Sequence, residues 1–245
     1  MIVALNNKSN FTREEYKEYL KEIEKIYFRG KLILCPTYLN LTVETDVLLG
    51  AQDVSPFEDG AHTGEISAKQ LSSIGVKYSI VGHSERRLNE TEEELFNEIK
   101  RLLENNMTPI LCIGERKVDR EKGSTKAVIG NQLSSVVNYL TENERSNVII
   151  AYEPVWAIGT GEIPTNDEIQ EVISFIKSKL PNNKVLYGGS ANEENIDELK
   201  KIEGIDGYLV GGLSLKPDKL QIFLDKLRQE EWQVDKTCPF FLFYF

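Results

Sequence analysis

A chain of 245 residues, 40% apolar and 28% charged, can bury a large core, and its ordinary composition excludes a fibre or a disordered polymer. A formal net charge of −10 without a long run of Lys or Arg excludes a general binder of nucleic acid or of anionic membranes. An anionic ligand would therefore have to be held by local features of the fold.

Cys35, Cys112 and Cys238 lie far apart with no CxxC pair. They read as reduced thiols of a cytoplasmic protein rather than a disulfide framework or a zinc cluster. The start, MIVALNNKSN, has neither a basic segment nor a long apolar stretch, so no signal peptide is expected.

Short apolar or β-branched runs recur at 2–5, 31–35, 46–50, 77–81, 108–112, 148–152, 184–187 and 207–210. Helical patterns fall between them at 12–28, briefly at 42–45, and then at 67–74, 90–105, 125–141, 166–180, 192–202 and 216–230. Thr91 and Thr165 are suited to cap helices, and Pro217 to the first turn of one. Strands apolar at consecutive positions are buried on both faces, as parallel strands covered by helices are. Eight such units predict a single-domain α/β fold, a (β/α)8 barrel over residues 1–230, with a doubly wound open sheet as the alternative. Residues 231–245, ending TCPFFLFYF, form a separate tail, too short to cross a bilayer as a helix.

In such a barrel, chemistry sits where the strands end at their C-termini. Those positions hold Asn6, Asn7 and Lys8, then Gly82–Glu85, Gly114 and Glu115, Glu153, Gly188–Ser190, and Gly211 with Gly212. Glu153 precedes Pro154, which biases it towards an extended backbone at a strand tip. It is either a base or one half of an ion pair. The two glycine pairs leave backbone N–H groups open to an anion, or simply make tight turns. Lys8 offers a cation for a phosphate, or is a solvated lysine. His83 is one of two histidines, with His62, and opens the charged segment SERR.

A carboxylate, an imidazole and a lysine around a phosphate site suggest proton abstraction beside a carbonyl, with electrostatic support for an enediolate. No GxGxxG, no GxxxxGK[ST] and no metal-ligand spacing is present, so neither a cofactor nor a metal is expected.

Six segments then carry a resemblance: GAQDVSPFEDGAHTGEIS (50–67), VGHSERR (81–87), LCIGE (111–115), AYEPVWAIGTGE (151–162), YGGSANEEN (187–195) and DGYLVGGLSLKP (206–217). In their order and content the chain resembles the triosephosphate isomerase family. The resemblance implies interconversion of dihydroxyacetone phosphate and glyceraldehyde 3-phosphate in glycolysis and gluconeogenesis. It implies Glu153 as the base and His83 as a neutral imidazole electrophile, its pKa lowered by a helix N-terminus. Asn6, Asn7 and Lys8 would bind substrate. Gly159, Ser190, Gly211 and Gly212 would grip the phosphate, and 154–164 would form a lid. It also implies a homodimer through loop 53–66, with Thr63 approaching the neighbouring site. A catalytically weakened relative serving as a binding or scaffold protein is the alternative.

The chain departs from the family pattern at three places. Asn7 and Ser9 stand where the family has Trp and Met beside the lysine, Pro164 closes the lid segment, and the tail lacks a counterpart. The first departure leaves Lys8 without its packing neighbours.

Overall fold

A computed structural model describes residues 1–158 and 163–235, with 228–235 described through their backbone alone. Eight strands, β1 (Ile2–Asn6), β2 (Lys31–Cys35), β3 (Leu48–Ala51), β4 (Tyr78–Val81), β5 (Thr108–Ile113), β6 (Ile149–Tyr152), β7 (Val185–Tyr187) and β8 (Gly207–Val210), pair in chain order. All the pairings are parallel, and β8 returns to β1 to close a barrel. The open sheet is thereby replaced by the (β/α)8 barrel that the alternating pattern predicts.

The helices are α1 (Arg13–Ile23), α2 (Ala68–Ser73), α3 (Glu92–Glu104), α4 (Lys117–Glu121), α5 (Thr125–Tyr139), α6 (Glu142–Ser146), α7 (Asn166–Lys179), α8 (Ile196–Leu199) and α9 (Pro217–Asp235). Five of them start with a reciprocal capping box, in which a Ser or Thr and the Glu or Gln three residues on satisfy each other's backbone N–H groups. The pairs are Thr12–Glu15, Ser67–Gln70, Thr91–Glu94, Thr141–Glu144 and Thr165–Glu168. The short α4 and α6 carry no long apolar stripe, and periodicity alone passes over them.

Several boundaries differ from the expected ones, and the helix expected at 192–202 shortens to Ile196–Leu199. α1 stops at Ile23 rather than 28, because the chain turns to lay Ile26 and Phe28 against the core. The expected turn at 42–45 is replaced by a 3-10 turn at Tyr38–Asn40, which leads Leu41 into the core. α9 runs on to Asp235, across the expected domain boundary at 230, so the first residues of the tail belong to the last helix. Residues 236–245, the rest of the tail, lie outside the described residues.

Two apolar layers follow from the strand period of two. Ile2 and Ala4, Ile33 and Cys35, Tyr78 and Ile80, Ile110 and Cys112, Ile149 and Ala151, Leu186 and Leu209 fill the barrel's interior. The alternate residues, such as Val3, Leu5, Leu111, Ile150 and Val185, pack outward against the helices. Continuing the inward rows by two residues reaches Asn6, Thr37, Gly82, Gly114, Glu153, Gly188 and Gly211. Gly188 and Gly211 line the cavity at the mouth, where side chains would otherwise fill it.

Among the described residues, no helix is long and apolar enough to cross a membrane. The barrel's closing seam is tight: a Cβ on Gly207 would lie 1.9 Å from the carbonyl oxygen of Ile2. Gly207→Ala is expected to lower the unfolding free energy by about 1–3 kcal/mol or more, read from the urea midpoint. Gly212→Ala, whose methyl would meet nothing within 4 Å, serves as the comparison and should change stability far less.

Candidate active site

A cavity of about 440 Å³ opens at the C-terminal end of the barrel. Asn6, Lys8, His83, Glu153, Ser190, Gly211 and Gly212 all line it. Seven positions from five strand ends thus meet in one space.

Glu153 is 3% exposed and His83 6%. The imidazole Nε2 lies 3.2 Å from Glu153 Oε1, whereas Glu153 Oε2 has no protein partner. The carboxylate fits because its neighbours lack side chains. A Cβ on Gly188 would come 2.7 Å from Glu153 Cγ, and one on Gly114 would come 1.7 Å from the Glu153 carbonyl oxygen. Backbone bonds from Glu153 N–H to Ile113 O (2.7 Å) and from Gly188 N–H to Tyr152 O (2.8 Å) fix this close approach.

Gly82, at φ 64°, turns the chain out of β4 so that His83 faces the cavity. The backbone N–H of Glu85 donates to His83 Nδ1 at 3.2 Å. With Nδ1 accepting, the proton of a neutral imidazole sits on Nε2, aimed at Glu153 and the cavity.

Lys8 has φ 51°, a left-handed conformation that a non-glycine residue adopts at a cost of about 1–3 kcal/mol. Its peptide is held despite the loss of the expected packing neighbours. Lys8 N–H donates to Asn6 Oδ1 at 3.1 Å, and Gln52 Nε2 donates to Lys8 O at 2.8 Å. Lys8 Nζ reaches Glu85 Oε1 at 2.5 Å across the mouth.

The family model described as triosephosphate isomerase matches residues 1–228. A protein named triosephosphate isomerase from Trichodesmium erythraeum is 41% identical over 231 residues, covering 89% of this chain and 95% of its own. One of the same name from Francisella tularensis subsp. tularensis is 42% identical over 97% of this chain and 98% of its own. The chain belongs to the triosephosphate isomerase family.

Three expected site positions of the triosephosphate isomerase pattern stand apart. Asn7 does not line the cavity: it belongs to the outward row of β1 with Val3 and Leu5 and is buried at 1% exposure. Its Nδ2 donates to Tyr19 OH at 3.1 Å and to Ser214 Oγ at 3.2 Å, and Tyr19 OH donates to Ser214 O at 2.7 Å. In place of an aromatic packing contact, this polar triad ties the tip of β1 to α1 and to the turn after β8. Thr63 is exposed on the outer part of loop 53–66 and does not line its own chain's cavity. Gly159, within the expected lid, lies outside the described residues.

Glu85, which the sequence marks as a strand-end charge beside His83, touches both Lys8 and the His83 ring. The sequence leaves Glu115 without a role. That carboxylate is fully buried and accepts from Trp156 Nε1 and Arg120 Nη1, each at 3.0 Å, and from Tyr152 OH at 3.3 Å. It thereby anchors the segment that follows Glu153.

The electrostatics of His83 refine the neutral-imidazole expectation. Burial pushes its pKa down, but the facing Glu153 carboxylate, with help from Glu85, outweighs that and leaves it above 6.5 in the unliganded chain. Burial and the Lys8 charge work the other way. A raised histidine pKa stabilises the fold fully below about 6.5, and that contribution is lost as the pH rises through the folded-state pKa. NMR titration should therefore place the His83 pKa above 6.5 in the wild type and lower in Glu153→Gln. An unchanged value in the variant would contradict the assignment of the shift to Glu153.

Proposed function

We propose that this chain is a cofactor-independent isomerase that interconverts dihydroxyacetone phosphate and D-glyceraldehyde 3-phosphate through an enediolate. The observation that carries the reading is the 3.2 Å approach of His83 Nε2 to Glu153 Oε1 beside a carboxylate oxygen with no protein partner. The family membership over residues 1–228 supports the same reaction.

In this proposal Glu153 takes the proton from the carbon next to the carbonyl. The C–H electron pair becomes the carbon–carbon double bond, and the carbonyl π pair moves onto oxygen. His83 Nε2–H donates to that oxygen, which requires substrate to replace Glu153 as its partner. The proton on the neighbouring hydroxyl passes to the former carbonyl oxygen by way of His83 Nε2. Glu153 returns its proton to the former carbonyl carbon, where the double-bond pair forms the new C–H bond, and the pair left on the other oxygen closes the new carbonyl. Lys8 supplies positive charge once the anion competes with Glu85, and Asn6 fixes the Lys8 peptide from within the cavity. Gly211 and Gly212 offer backbone N–H groups to the phosphate, and Ser190, whose hydroxyl donates to Ala157 O at 3.2 Å, borders the same space. Asn7 positions this end of β1 from outside the cavity.

A homodimer through loop 53–66 belongs to the same proposal. Ser55 N–H donates to Ile66 O at 2.9 Å, closing the neck of the loop, while residues 57–65 are exposed in the single chain. Phe57 is 43% exposed and stacks on His62 with ring centroids 4.2 Å apart. A partner would cover that apolar pair and receive Thr63 near its active site. Buried free thiols at Cys35 and Cys112 agree with a cytoplasmic location, Cys35 being pushed by burial up to about 12.

In a coupled assay with glyceraldehyde 3-phosphate and no added metal or cofactor, the purified chain is expected to turn over. Glu153→Asp, which withdraws the base by one methylene, should lower kcat by about a hundredfold or more. Absence of activity above background at several protein concentrations would contradict the isomerase reading. Specific activity should also fall on dilution, in step with dissociation followed by sedimentation. Activity that stays constant through dissociation would contradict the need for a partner.

A further inference from the structure

Away from the catalytic cavity, three carboxylates from separate segments meet beneath the surface. Asp53 stands at the root of loop 53–66, Glu90 just before the start of α3, and Glu98 in the middle of α3. One oxygen from each lies within 4.8 Å of the others. None of the three lines the catalytic cavity.

Arg86 accounts for only part of their charge. Its Nη2 lies 2.6 Å from Asp53 Oδ2 and its Nε 2.8 Å from Glu90 Oε1. Glu90 Oε2 and Glu98 Oε2 are buried and have no hydrogen-bond partner, and Glu98 as a whole is 2% exposed. With all three acids ionised, three negative charges face one guanidinium, which leaves two uncompensated. Burying unpaired carboxylate oxygens is costly unless something supplies that charge.

We propose that Asp53, Glu90 and Glu98 form a site for a hard divalent cation, of the Mg²⁺, Mn²⁺ or Ca²⁺ type. An all-oxygen, all-carboxylate set selects that class over softer metals. The spacing is compatible with it, since oxygens 2.0–2.6 Å from one ion stand at most about 4–5 Å apart. A divalent ion also neutralises the two charges that Arg86 leaves. Its role is structural. It would tie the root of loop 53–66 to α3 and to the Arg86 turn, whose backbone N–H donates to His83 O at 2.8 Å. The inference is independent of the isomerase reading, because no ligand of the site takes part in that chemistry.

The test uses the full chain, freed of metal with EDTA and titrated separately with Mg²⁺, Ca²⁺ and Mn²⁺. Binding is followed by calorimetry and thermal unfolding, and for Mn²⁺ by electron paramagnetic resonance. At a hundredfold excess over Kd, at least one ion should raise Tm by roughly 5–10 °C, reversibly with EDTA. Glu98→Gln keeps the shape but removes a ligand charge, and should abolish the response while the protein still folds. Asp53→Asn provides the same reading should Glu98→Gln fail to fold. No saturable response to any of the three ions would overturn the site in favour of a protonated carboxyl cluster. A response that persists undiminished in Glu98→Gln or Asp53→Asn would overturn it as well.

Discussion

The mouth of this barrel depends on accommodating one buried carboxylate. Glu153 is 3% exposed, with one oxygen against His83 and the other without a protein partner. An unpaired buried carboxylate tends to turn to solvent. Here rigid walls oppose that: the backbone is clamped on both sides by β5 and β7, and Gly114 and Gly188 let those strands come nearer than any side chain would permit. Gly188, which admits Glu153, also borders the cavity in front of it. The buried carboxylate and part of the room beside it are thus two consequences of one constraint.

That constraint was written in the sequence as parity. In each strand the inward row can be counted from the apolar core: Ile149 and Ala151 lead to Glu153, Leu186 to Gly188, Leu209 to Gly211, and Ile2 and Ala4 to Asn6. The same counting places Asn7 on the outward row, where it is found bonded to Tyr19 and Ser214. The family resemblance implies Asn7 as a substrate-binding residue without regard to this alternation. The barrel was legible because eight buried runs with eight intervening patterns leave few other solutions. The short α4 and α6 were not, since five residues each supply caps but no apolar period.

The carboxylates of Asp53, Glu90 and Glu98 were illegible for a different reason. Their separations along the chain follow no ligand spacing, and each alone reads as a surface acid beside a loop or on a helix. Only the barrel, by setting the end of β3 beside the start of α3, brings them to one point. Charge clusters made by topology rather than by motif stay hidden until the strands are ordered. The contrast with Glu153 is instructive, because there a proline, a strand and a glycine-rich continuation all mark the residue locally.

A chain with 39 Asp and Glu against 29 Lys and Arg must also keep a cation where an anionic substrate would arrive. Lys8 reaches the mouth of the cavity in a left-handed backbone conformation and pairs with Glu85. Glu85 in turn offers its backbone N–H to the His83 ring. One residue therefore shields the lysine charge and fixes the tautomer of the imidazole. An incoming anion competes for Lys8 without disturbing the backbone bond to Nδ1, so electrostatic attraction can be redirected to substrate while the ring stays oriented. The polar triad of Asn7, Tyr19 and Ser214 makes this workable, for a strained lysine loop needs a rigid base. Substituting an aromatic contact by buried hydrogen bonds keeps that base, because each donor of the Asn7 amide has a partner and the segment is tied to two other parts of the barrel.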